Sequence, residues 1–180
     1  MKRFIQIYLY FIYPIYSIWF ASNASLIMDN LSIVGNLKGM RFYFILWAIL
    51  CEIALGIGFF PCIKKSTHKK IFTSMLLISA AMFSIAILLP YLPESYPVLS
   101  ELHITLSFIG LLSMLFVAAL LVMNLSLIYK IYPFDIMMIG IYGCALGIYG
   151  ANYMSVNSLV EIFLGIILPI YLFHLKERLK

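Results

Sequence analysis

LHITLSFIGLLSMLFVAALLVMNLSLI, residues Leu102–Ile128, contains no Asp, Glu, Lys or Arg. As a helix it exceeds the ~20 residues that cover a ~30 Å hydrocarbon core. Five stretches of the same kind flank it: Phe4–Ala21, Tyr43–Ile63, Ile71–Leu89, Ile136–Asn152 and Leu159–Leu175. Backbone N–H and C=O groups in hydrocarbon have no water to bond, so stretches of this length read as helices that satisfy themselves. The expectation is an all-α polytopic membrane protein, six transmembrane helices in one bundle. The longest gap, about Ser22 to Phe42, is too short for a separate soluble domain, so residues 1–180 read as a single transmembrane domain.

Composition agrees. Hydrophobic residues make up 64% of the chain and charged residues 11%, against roughly half and a quarter in soluble domains. The net charge of +5 sits in small clusters beside apolar segments, which excludes the continuous basic face of a nucleic-acid binder. Three cysteines, with Cys51 and Cys144 inside spans and Cys62 at the end of one, do not make a disulfide framework. Cys62 beside Lys64 and Lys65 fits a loose acylation context but reads as an ordinary interfacial thiol. Met1-Lys2-Arg3 and a later Ala21-Ser-Asn-Ala24 resemble a secretion signal. The apolar run between them is longer than a signal core and carries Tyr8, Tyr10, Tyr13, Tyr16 and Trp19, so it reads as the first span.

The cations set an orientation. With the N-terminus inside, ten of the twelve Lys and Arg residues fall in cytoplasmic pieces, leaving Lys38 and Arg41 outside. These loops are short enough for the positive-inside rule, which predicts both termini cytoplasmic; the compact, Ile- and Lys-containing chain with tiny loops suits a bacterial inner membrane, a eukaryotic organelle being the alternative. Trp19, Tyr43, Tyr91 and Tyr153 mark the outer boundary, and Tyr129 and Tyr132 the inner one. Pro90, Pro93 and Pro97 are expected to end the third span and hold the next loop extended, and Pro14 and Pro169 to fall within spans as kinks. Gly140, Gly143, Gly147 and Gly150 form a smooth stripe for close helix packing, with Tyr142, Tyr149 and Tyr153 beside it. Ala54-Leu-Gly-Ile57 returns as Ala145-Leu-Gly-Ile148, a short match of the kind an inverted repeat would give.

Few residues carry chemistry. Glu52 lies near mid-span, where a charge costs about 2.5–3.5 kcal/mol, so it must face the interior, be neutral or find a partner. It reads either as a proton-, cation- or ligand-coupling acid or as a carboxyl hydrogen-bonded to a tyrosine or serine of another helix. An outer polar rim comprises Asp29, Asn30, Ser32, Asn36, Lys38, Arg41, Glu94, Glu101, His103, Asn152, Asn157 and Glu161, most of which could be ordinary loop residues. Ser158-Leu-Val-Glu161 matches a capping box, and Ser100 with Glu101 suits a first helical turn. His103 shares a helix face with Ser107 one turn on, which brings a hydrolase to mind, although no Gly-x-Ser-x-Gly turn is present. His68 and His174 fall on the opposite side, so no common metal with His103 is expected. No Walker loop, Gly-x-Gly-x-x-Gly turn, Cys-x-x-Cys pair or His-Glu-x-x-His helix occurs, so no cofactor is expected.

Asp29-Asn-Leu-Ser32-Ile-Val-Gly35-Asn36, together with Leu102-His103 and Ser107-Phe108, resembles a bacterial six-helix membrane family of undetermined function, distantly similar to DRAM-like and Frag1-like membrane proteins. The resemblance implies a six-helix bundle and no particular reaction. The expected function is therefore a non-enzymatic bundle that binds a lipid, small ligand or partner membrane protein from its outer side. The candidate ligand residues are Glu52, Asn36, Arg41, His103, Ser107, Asn152 and Glu161. A small transporter or substrate-capture subunit using Glu52 is the first alternative; the helix-one Ala-x-x-x-Ala pattern of energy-coupling-factor subunits is missing from it. A membrane hydrolase using His103 is the second.

Overall fold

The computed structural model describes residues 2–26, 29–129 and 158–179. The expected fifth span, with its glycine and tyrosine stripes, Asn152 and the second copy of the short repeat, lies outside them. Within the described residues the regular elements are helices: α1 (Lys2–Ile7), a π turn (Tyr8–Ile12), α2 (Tyr13–Ala21), α3 (Leu31–Asn36), α4 (Arg41–Lys65), α5 (Lys69–Leu88), α6 (Pro97–Tyr129) and α7 (Ser158–Arg178). Four helical runs are long and apolar enough to cross a bilayer: Lys2–Ala21, Arg41–Lys65, Lys69–Leu88 and Pro97–Tyr129. Their outward faces carry large apolar side chains, with Phe11 60%, Leu88 68% and Leu127 84% exposed, as a lipid-facing surface does and a water-facing one rarely does.

The first run is continuous across Pro14 because the backbone widens just before it. Tyr13 N–H bonds to Tyr8 C=O, a π spacing that absorbs the donor proline lacks. Pro61 proves to be interior as well as Pro14 and Pro169, since α4 runs on to Lys65. Pro97, expected in an extended loop, is instead the first residue of α6, a position its fixed φ favours. At 33 residues α6 is about 50 Å long and overruns a single bilayer core.

The bundle is assembled from two close pairs, α5 with α6 and α4 with α7, and α1–α2 lies against α4. Glycine sets the α4–α7 approach: a Cβ on Gly58 would stand 2.9 Å from the Pro169 backbone. The tyrosines that crowd the first span tie it down, Tyr8 Oη donating to Leu50 C=O at 2.5 Å and Tyr16 Oη to Tyr43 C=O at 2.9 Å. Trp47 Nε1 donates to Ser17 Oγ at 3.1 Å. Cys62 is fully buried and donates to Leu172 C=O, so its thiol is not on the surface where acylation would reach it.

The two ends of the bundle differ. At one, Lys2 pairs with Glu177 at 2.7 Å, Lys65 Nζ donates to Leu179 C=O, and Asn124 exchanges bonds with Thr67. At the other, α3 is laid across the helix ends. Gly39, with φ +82°, allows the turn from α3 into α4.

Candidate ligand cavity

Helix α3 is short, so most of its first N–H groups need partners from elsewhere. Asn30 caps it, its side-chain oxygen accepting from Ile33 N–H at 2.9 Å. Leu31 N–H goes to the Glu161 carboxylate at 2.8 Å, and Ser158 N–H to Asp29 C=O at 2.8 Å. The Ser158–Glu161 capping box is thus not formed as the spacing suggested. Glu161 serves another helix, because the partly positive start of α3 competes for it, and Ser158 Oγ is buried with no partner among the described residues. Ser100 likewise caps nothing: α6 begins one turn earlier, and Ser100 Oγ accepts from Leu92 N–H at 2.9 Å.

One residue further along α3, Ser32 meets His103 of α6, Oγ to Nε2 at 2.7 Å. His103 Nδ1 lies 2.6 Å from Ala86 C=O near the end of α5. A carbonyl only accepts, so Nδ1 carries the proton, and in the neutral ring Nε2 accepts from the Ser32 hydroxyl. Tyr91 covers the imidazole, its ring centre 5.5 Å away. Both Ser32 and His103 are buried.

Below them lies a cavity of about 690 Å³ between α4, α6 and α7. Asn30, Ser32, Tyr91, His103 and Glu161 line its α3 end, and Leu55, Leu111, Met114, Leu115 and Leu168 its depth. From His103 to Leu115 along α6 is ~18 Å at 1.5 Å per residue. The volume falls within the ~300–1,000 Å³ of small-molecule sites, and its polarity falls away from one end to the other.

Of the residues singled out in the sequence, His103, Ser107 and Glu161 come together on this lining. Asn36 and Arg41 do not. Asn36 Nδ2 donates to Ser32 C=O at 2.9 Å and Tyr91 C=O at 2.5 Å, fastening the 89–96 loop to α3. Arg41 Nη2 donates to Ile87 C=O at 2.5 Å, satisfying an otherwise orphaned carbonyl of the last turn of α5. Glu52 is half-buried and accepts from Ser84 Oγ of α5 at 2.6 Å, the serine partner that one of its two readings required, and it is not on the cavity lining. Asn152 lies outside the described residues. Among those residues no group of three His, Cys, Asp or Glu side chains stands ready to hold a metal.

No family model, curated protein or solved structure matches this chain. Ser32 and Asn30, offered by the sequence only as members of the outer polar rim, are central to the site. Their link to His103 leaves no local sequence signal, because the Ser32–His103 bond spans 71 positions.

Proposed function

We propose that the chain is a six-span integral protein of the cell membrane, both termini cytoplasmic, that binds an amphiphile, a lipid or a small apolar molecule with a polar head, in the cavity beneath α3. The observation that carries this reading is the cavity's polarity gradient. Hydrogen-bonding groups gather at one end and aliphatic walls continue below, which matches a ligand with a head and a tail. The orientation is supported by geometry at the other end, where Lys2, Lys65 and the C-terminal residues lie together with the Lys64–Lys70 cluster. The positive-inside rule makes that end cytoplasmic and puts the α3 end, with the polar part of the cavity, on the outer side. A bacterial inner membrane is the setting.

Native mass spectrometry of the full chain, released from detergent, tests the reading. The expected result is a retained lipid or small amphiphile that is reduced or lost in Leu168→Trp and Leu111→Trp, which narrow the apolar depth. A wild-type chain that carries nothing, or Trp variants that retain the same mass undiminished, would overturn it.

A further inference from the structure

A serine hydroxyl bonded to an imidazole nitrogen, with the other ring nitrogen fixed by an acceptor, is the minimal arrangement of an activated oxygen nucleophile. Ser32 Oγ, His103 Nε2, His103 Nδ1 and Ala86 C=O form that sequence at 2.7 and 2.6 Å. The orienting group is a carbonyl in the last turn of α5, held in place by Leu89 N–H at 3.0 Å. Both side chains border the cavity at its polar end. Asn30, also on that border, has its side-chain oxygen committed to Ile33 N–H, which leaves its NH₂ as a donor for a developing oxyanion.

The geometry points to an acyl-ester hydrolase, with Ser32 the nucleophile, His103 the general base and a long-chain ester the substrate class. The assignment rests on the amphiphile-binding reading and adds turnover to it. The ester's chain occupies the apolar depth and its carbonyl reaches Ser32. Ser32 Oγ bonds to the acyl carbon while its proton passes to His103 Nε2, and the carbon–oxygen bond to the alcohol breaks as that proton goes to the leaving oxygen. Water, deprotonated at Nε2, then cleaves the acyl–Ser32 ester, releasing the carboxylic acid and restoring the hydroxyl. The base is worth about 10²–10⁴-fold and one oxyanion donor about 10²–10³-fold in such a step.

The test uses the full chain in lipid nanodiscs, treated with a long-chain alkyl fluorophosphonate and, in parallel, with p-nitrophenyl decanoate. The expected outcome is a phosphonyl adduct on the peptide containing Ser32, absent in Ser32→Ala, formed at least tenfold more slowly in His103→Gln and unchanged in Ser126→Ala. Ester turnover should follow the same order. A chain that retains its amphiphile by mass spectrometry yet leaves Ser32 unmodified overturns the hydrolase and leaves the binding reading standing; loss of both overturns both. Where Ser32→Ala fails to fold, Ser32→Cys replaces it. His103-dependent acyl transfer from the p-nitrophenyl ester to the new thiol upholds the assignment, and a folded Ser32→Cys protein that stays unacylated refutes it.

Discussion

Glu52 shows how a single side chain reads differently alone and in its setting. A lone acid near mid-span is suspicious in sequence, because its partner can come from any helix. Here Ser84, 32 positions later, takes it. Glutamine keeps an acceptor for the same hydroxyl, so Glu52→Gln is expected to leave ligand retention unchanged and to alter stability by less than about 1 kcal/mol. Loss of retention in a folded Glu52→Gln protein, read by native mass spectrometry, would restore a coupling role. Tyr13 is the converse case, a core hydroxyl that faces the Cys51 thiol and Ser17 without a hydrogen bond of ordinary geometry among the described residues, set where a Cβ on Gly165 would be 2.5 Å from it. An unsatisfied buried hydroxyl costs about 1–3 kcal/mol. Tyr13→Phe should therefore hold or raise the melting temperature in detergent, Gly165→Ala should lower it, and the double variant should recover part of the loss. Equal loss in the single Gly165→Ala and the double variant would show that the oxygen is not what meets the methyl group. His103 stood out in sequence because a histidine is rare in so apolar a run, whereas its bond to Ser32 spans 71 positions and leaves no local trace.

Where the described residues cover an expected span they are helical, as hydropathy alone implies, since a backbone in hydrocarbon has no other way to bond its polar groups. Four of these runs are long and apolar enough to cross a bilayer. What hydropathy missed was short or polar. α3 lies in what looked like a loop, and the start of α6 is hidden in Pro97–Glu101, which is too polar to extend an apolar run but well suited to a first helical turn. α3 depends on its cap, so Asn30→Ala should cost about 0.5–2 kcal/mol. Because α3 carries Ser32, the same change should weaken ligand retention more than Arg41→Ala, which acts at the end of α5. The α4–α7 pair depends on Gly58, where a side chain meets Pro169 backbone that cannot swing aside. Gly58→Val should cost about 1–3 kcal/mol, seen as a lower melting temperature, while Gly56→Ala, whose Cβ would meet only the Phe60 ring at 3.4 Å, should be mild. Similar losses at both positions would argue against close α4–α7 contact.

At the scale of the whole molecule the polar groups are sorted by end. One end gathers Asn30, Ser32, His103 and Glu161 beneath α3; the other gathers lysines and both described chain ends. Charge alternation along the sequence made this sorting legible, because it needs only the order of spans and loops. The cavity was not legible, because it depends on which helices stand apart. Where the ends meet, Lys2 donates to Glu177 and holds its carboxyl below the usual carboxylate range. A carboxyl lowered on folding contributes stability that is present above its unfolded value of about 4.3 and is lost as pH falls through the lower folded one. The pair is solvent-exposed, so its effect is local. Acidification should release the N-terminal turn of α1 before the bundle melts, seen as faster amide hydrogen exchange in residues 2–7 below about pH 4. Glu177→Gln should show the faster exchange already at neutral pH and lose its dependence on acid. Exchange in α1 that is equally slow in Glu177→Gln and wild type at neutral pH would mean that packing of Tyr8 and Leu9, and not the ion pair, holds the two ends together.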